Sequence, residues 1–360
     1  MKILIGADLV PTRDTEKYFI NRDVQSMIGR ISNIVKNCDR FAVNLECALT
    51  ECNTPIKKFG PNIKASPECV NGLLAMGVTD VFLSNNHVLD FGVEGLLDTE
   101  KTLSDAGLPY TGVGANDTDS REPYFIEKNG KIVGFVNICE HEYTYALPNR
   151  PGTNPFDPFE TMHDIRMAKA RCNYLIVIYH GGKEHCQYPS PRLVNMAHEM
   201  ARCGANAVIM QHSHCVGCYE RFEGCHIVYG QGNFNFVFNE YSDRPSTWHN
   251  ALLTEIDTDT SDISFYPIVE TETGCDLAMG KDAADIMTPF LERNKSMLDG
   301  SWRDGWHEFC VSPGREYYHN SIVNPCVTEE EKERFAHYLD CEAHTDVWRE
   351  LYKTWNHTNR

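Results

Sequence analysis

Several apolar runs in this chain stop at residues able to bind a metal. "KILIGAD" ends at Asp8, "RFAVNLE" at Glu46, "TDVFLSNNH" at Asn85, Asn86 and His87, and "NYLIVIYHGG" at His180. "NAVIMQHSH" ends at His212 and His214, and "HIVYGQGNF" at Gly232 and Asn233. Asp8, Glu46, Asn86, His180, His212 and His214 together mix imidazole with carboxylate and amide oxygen, a set that suits Mn, Fe or Zn better than Mg or Ca. They are too many for one tetrahedral zinc and about right for two divalent ions sharing a carboxylate. A rival pattern, Cys215-x-x-Cys218, follows directly. A zinc site there needs a second pair, and only Cys225 and His226 stand nearby; a redox pair needs a helix N-terminus after a strand. Buried thiols without a chemical role are therefore expected.

These residues must be carried to one place by the elements that precede them. The runs read as short, buried strands, and helices with legible ends lie between them. "SPRLVNMAHEMARCG" offers Ser190 as N-cap, Pro191 at the first helical position and Gly204 at the C-terminus; "SPECVNGLLAMG" repeats the arrangement with Ser66, Pro67 and Gly77. Strand and helix alternation implies an α/β fold with substantial parallel sheet, whose ligands bind beyond the carboxyl ends of the strands. The run "KIVGFVNICEHEY" ends at Glu140, His141 and Glu142, which are either pocket wall or an ordinary strand exit.

From about residue 271 the pattern turns helical, so the expected division is 1–270 and 271–360. Thr328 and Glu331 are spaced as a capping box. Val347, Leu351 and Trp355 share one helical face, Trp348 and Tyr352 another. Trp302, Trp306, Trp348 and Trp355 all fall here, which argues that this extension packs on the main domain.

The totals limit the partners. With 360 residues, 42% of them apolar, the chain can bury a substantial core, and its formal charge of −18 disfavours nucleic acid and anionic membrane. The cysteines number fifteen, an odd count, and Cys38, Cys69, Cys139, Cys172 and Cys203 sit in apolar surroundings, which favours reduced thiols. "MKILIGADLV" is too short for a signal peptide and no run approaches a membrane span, so the expectation is a cytoplasmic protein without a membrane anchor. No phosphate-binding G-x-x-x-x-G-K appears, and "TGVGAND" at 111–117 reads as a turn.

The segments "GAD", "NLE", "NNHVLDFG", "HGGKEHCQYPSP", "QHSH" and "GQGNF" resemble, in order and spacing, the bacterial capsule-synthesis CapA or poly-γ-glutamate synthesis family, a branch of the calcineurin-like metallophosphoesterases. The resemblance runs over about residues 1–270. It implies an α/β/β/α sandwich, here with a helical C-terminal extension. It also implies a dinuclear site bridged by Glu46, with Asp8 and His214 on one ion and Asn86, His180 and His212 on the other. Two departures stand out: Val10 occupies a position where that superfamily usually has histidine, and Glu46 one where it usually has aspartate. The lost imidazole weakens the first ion, so one or two ions are expected.

Such a site activates water for in-line attack at phosphorus. His87 is then the candidate general acid and Asp90 the residue that orients it. Asn85, Glu140, Glu142, Glu184, His185 and Asn233 are expected around the ions or against the substrate. The leading expectation is a metal-dependent hydrolase of phosphoester type acting on an anionic small molecule or short polymer. The alternatives are an assembly component for an anionic polymer without turnover, and an amide hydrolase for γ-glutamyl or cell-wall peptides.

Overall fold

The computed structural model describes residues 1–140, 143–238, 244–312, 316–323 and 327–353. His141, Glu142 and Trp355 lie outside the described residues. Two sheets dominate. An eight-stranded sheet runs in the order Cys275–Leu277, Asp262–Glu270, Asn250–Asp257, Lys2–Leu9, Arg40–Leu45, Asp80–Phe82, Tyr110–Thr111, with Asn233–Asn235 also paired to Lys2–Leu9. Its strands from Lys2–Leu9 to Tyr110–Thr111 are parallel. A six-stranded sheet runs Tyr219–Phe222, Cys225–Val228, Ala207–Gln211, Tyr174–His180, Lys131–Cys139, Tyr124–Lys128, and its four inner strands are parallel.

Side-chain alternation explains the layering. In the first strand Ile3 and Ile5 face the second sheet, where they meet Phe135, Ile176, Ile178 and Ile209. Leu4, Ala7 and Leu9 face the other way, against Phe19, Met27, Leu73 and Leu96 of the outer helices. The second sheet repeats this: Val136, Ile138, Leu175 and Val177 turn outward onto Ile165 and Ala168 of Glu160–Lys169 and onto Leu193, Met196 and Ala197 of Pro191–Arg202. The result is the expected α/β/β/α sandwich. Because both faces of the central parallel strands are covered, those strands are largely apolar, and polar residues gather toward their carboxyl ends.

The helix ends follow the sequence. Ser190 accepts the Leu193 N–H at 3.2 Å ahead of Pro191, and Ser66 accepts from Glu68 before a short 3₁₀ turn leads into Val70–Met76. Gly77 ends that helix at φ 86°, a left-handed conformation that glycine adopts without penalty. Thr328 and Glu331 form the capping box.

The main sheet extends past residue 270 through its edge strand Cys275–Leu277, and the helical extension starts at Gly280. It comprises Gly280–Asp299, Trp302–Val311, Glu316–Val323, Glu329–Asp340 and Glu342–Leu351. Trp302 enters the core outside the second sheet. Trp306, Cys310, Tyr318, Tyr338 and Val347 form a further cluster with Cys186 and with Phe59 and Tyr188 of the sandwich. Among the described residues no helix is long and apolar enough to cross a membrane, and no cysteine is in a disulfide.

Candidate metal centre at the strand ends

The parallel registers bring the expected residues together. Asp8 lies beside Asn44 and Asn233 in its neighbouring strands, and His180 is the last residue of its own strand, beside Gln211. Asp8, Glu46 and His180 are wholly buried. Asn44 Nδ2 donates to Asp8 Oδ1 at 2.8 Å and lies 3.2 Å from His180 Nδ1; His180 Nε2 is 2.8 Å from Asn86 Oδ1 and 3.3 Å from Glu46 Oε1. Asp8 Oδ2 accepts the His212 N–H at 3.1 Å and is 3.5 Å from His214 Nδ1.

His212 and His214 are held in the left-handed region, at φ 86° and 52°. For residues with a Cβ this costs about 1–3 kcal/mol each, a strain tolerated where a turn must aim particular side chains. The turn is tied down by Asp8 and by the Ser213 carbonyl, which accepts the His185 N–H at 2.8 Å. Asn233 Oδ1, 2.8 Å from His214 Nδ1, orients that ring while its own amide donates to the Trp248 carbonyl.

The electrostatics favour a bound cation. Burial raises the Asp8 carboxyl to about 7, although bonds from Asn44 and the His212 N–H oppose this. Burial, then repulsion from Asp8 and Glu184, pushes Glu46 well above the ordinary carboxyl range, against the attraction of Lys58. Among the described residues neither Glu46 oxygen has a hydrogen-bond partner. Leaving buried carboxylate oxygens without donors is expensive, whereas a divalent cation would satisfy both at once. Burial lowers His214 to about 4, so its imidazole is neutral with a lone pair available to a metal. Glu46, His212 and His214 each offer a ligand atom within 4.8 Å of the others, so the residues fit a divalent ion.

His87 and Asp90 form the expected pair, Nδ1 to Oδ2 at 2.6 Å. Lys58 is a third member: its Nζ is ion-paired with Asp90 and 3.2 Å from His87 Nδ1. Asp90 thus serves both His87 and Lys58, and Ile63 N–H also donates to it at 2.6 Å. Asn85 splints the loop: its Nδ2 donates to Asn44 Oδ1 and the Leu45 carbonyl, and its Oδ1 accepts the His87 N–H. A cavity of about 300 Å³ opens here, lined by Lys58, Asn86, His87, Glu184, His185 and, from the extension, His337.

Of the two expectations for Glu140, its contacts favour the ordinary strand exit. It does not line this cavity; it accepts from the Tyr179 hydroxyl, from Gly182 N–H at 2.7 Å and from Arg192 at 2.9 Å. Its carboxylate braces the loop after His180, and Glu142 lies outside the described residues. Sequence reasoning passed over Asn44, a polar residue inside the apolar run "RFAVNLE", and Lys58, in the unpatterned "PIKKFG". Cys215 and Cys218 are buried thiols pushed up to about 12 by desolvation, and Arg293 donates to the Val216 and Gly217 carbonyls between them. That loop is a structural clasp for the helix Gly280–Asp299.

A two-sheet sandwich with histidines, carboxylates and an asparagine converging at its strand ends is the architecture that the capsule-synthesis resemblance implies. The chain belongs to the bacterial capsule synthesis protein family PGA_cap, whose family model matches residues 2–240. It is 29% identical over 230 residues to the capsule biosynthesis protein CapA of Bacillus anthracis, covering 61% of this chain and 56% of that protein. It is 28% identical over 234 residues to the PGA biosynthesis protein CapA of Bacillus subtilis (strain 168), covering 64% and 61%. The chain thus spans little more than half the length of these relatives. Among solved structures it is similar to a hypothetical protein from Thermus thermophilus, with a TM-score of 0.48 and 16% identity over 75% of this chain and 100% of the other. A phosphatase from Mycoplasma pneumoniae gives a TM-score of 0.44 and 14% identity over 75% and 94%.

Proposed function

We propose that this chain is a metal-dependent hydrolase of phosphoester type, working at the crevice where Asp8, Glu46, Asn86, His180, His212 and His214 meet. The observation that carries the reading is Glu46, a fully buried carboxylate whose two oxygens have no hydrogen bond among the described residues, set beside neutral imidazole. When bound there, one or two divalent ions would supply an acidified water and offset charge on the reacting phosphoryl group. The chain's own residues do the rest. Asn44 and Asn233 fix Asp8 and His214, and Asn86 meets His180 at the crevice. His87, held by Asp90 and lining the cavity, is placed to give a proton to the leaving oxygen. Lys58 and Lys183 on the cavity wall favour an anionic substrate.

Purified protein should contain Mn, Fe or Zn and turn over generic phosphomonoesters or phosphodiesters in a metal-stimulated way. Protein with neither bound metal nor turnover would overturn the reading. Family membership favours a second reading, a role in capsule or poly-γ-glutamate assembly, including attack on a γ-glutamyl amide by the same water. Product analysis on γ-glutamyl peptides beside phosphoesters separates the two.

A further inference from the structure

We propose that His337, Cys341 and His344 form a zinc site on the wall of the same cavity, distinct from the strand-end cluster and built by the C-terminal helices. The motif is "HYLDCEAH". In one continuous helix its two histidines would be separated by about 10 Å of axial rise. Here the chain breaks at Cys341, which ends Glu329–Asp340 and caps Glu342–Leu351 with φ −80° and ψ 119°. The break folds the histidines together, ring centroids 4.8 Å apart, and one ligand atom from each of the three residues lies within 4.8 Å of the others. All three are buried.

The surroundings fix these groups in place. Phe59 and Tyr143 both stack on the His337 ring, and Tyr338 stacks on His344 at 4.3 Å. The Tyr318 hydroxyl is 2.5 Å from His344 Nδ1. With Nδ1–H donating to that oxygen, Nε2 becomes the coordinating nitrogen, the outer hydrogen bond usual for a metal-binding histidine. Cys341 is the N-cap residue of a ten-residue helix, so its position is fixed by the helix that carries His344.

Ligand chemistry sets this cluster apart. Two imidazoles and a thiolate suit zinc, whereas the oxygen-rich set of Asp8, Glu46 and Asn86 suits harder ions as well. Three protein ligands leave a fourth position for solvent from the cavity, which His337 and His344 both line. The site falls outside residues 2–240, the segment that the family model matches, so it would belong to this chain's extension. Packing alone asks only for apolar rings at these positions, not for three donors meeting at one point.

The test is cobalt substitution of the full chain. The Co²⁺-loaded protein should show a thiolate-to-cobalt charge-transfer band in the near ultraviolet, retained in Glu46→Gln and absent from Cys341→Ser, and Cys341→Ser should bind one zinc fewer per chain. An unsubstituted protein without the band, or a band that survives in Cys341→Ser, overturns the site. Because the first result is read on the unsubstituted chain, misfolding of Cys341→Ser cannot hide it. Glu46→Gln distinguishes this site from the strand-end centre: loss of metal there leaves the band in place.

Discussion

Two glutamates that follow parallel strands in similar ways are used in opposite ways. Glu46 follows Arg40–Leu45 in the first sheet, Glu140 follows Lys131–Cys139 in the second, and both are almost completely buried. Glu140 is saturated by Tyr179, Gly182 and Arg192, and Arg192 passes the connection on to Asp346 of the last helix at 2.9 Å. Among the described residues neither Glu46 oxygen takes part in a hydrogen bond, His180 Nε2 lies 3.3 Å from Oε1, and Asp8 and Glu184 repel its charge. A fold tolerates the first because its hydrogen bonds replace those to water; it tolerates the second when a bound cation or a proton offsets the buried charge. The Glu140 corner is therefore a brace between sandwich and extension, and the Glu46 corner is where we propose that a cation binds.

The largest effects should come from exchanging charge for amide at one corner and removing the partner cation at the other. Glu46→Gln should lower metal-dependent turnover by on the order of 10³-fold, since several kcal/mol of charge stabilisation is removed, while raising the melting temperature of metal-free protein. Turnover and metal content equal to those of the parent would remove the case for a centre at Glu46. At the other corner, Arg192→Ala strands the buried Glu140 carboxylate and should cost roughly 3 kcal/mol of stability in urea unfolding, with bound metal unchanged. If Arg192→Ala released metal and left stability intact, the two corners would be one functional unit and the contrast would fail.

How much of this contrast could be read in the sequence depends on where the cause lies. Strand ends were legible because the doubly covered central strands are largely apolar and gather polar residues at their carboxyl ends, so Asp8, Glu46, His180 and His212 announce themselves. The caps at Ser190, Ser66 and Thr328 are local chemistry and were legible for the same reason. The direction of Glu140 was not: "ICEHE" carries no sign of whether its carboxylate faces the crevice or the Tyr179 hydroxyl, which is a tertiary contact. Lys58 sits in a loop without period, and the strand Cys275–Leu277 is too short to show one. The meeting of His337 with the cavity depends on how the extension packs, and no local pattern records that.

A finer probe of the Glu46 corner is Asn233, whose Oδ1 orients His214 and whose amide is anchored on Trp248. Outer-shell partners of metal ligands are worth about 10–100-fold in affinity, so Asn233→Ala should weaken metal binding by that factor in a chelator competition. Stability of the metal-free protein should move far less. Unchanged affinity would mean that the strained turn alone aims His214.

The smallest expected effect tests the brace at its edge. Ser190 accepts the Leu193 N–H as N-cap of Pro191–Arg202 and donates to Asp346 Oδ2 at 2.6 Å, so one hydroxyl serves both the helix and the Arg192 network. Loss of an N-cap costs about 1 kcal/mol, and Asp346 keeps Arg192 as a partner when the hydroxyl is gone. Ser190→Ala should therefore lower unfolding free energy by about that amount, leaving metal content and turnover as they are. A change confined to stability would place the boundary between brace and crevice on the sandwich side of this helix; a loss of metal would put Ser190, and the extension behind it, inside the crevice's own support.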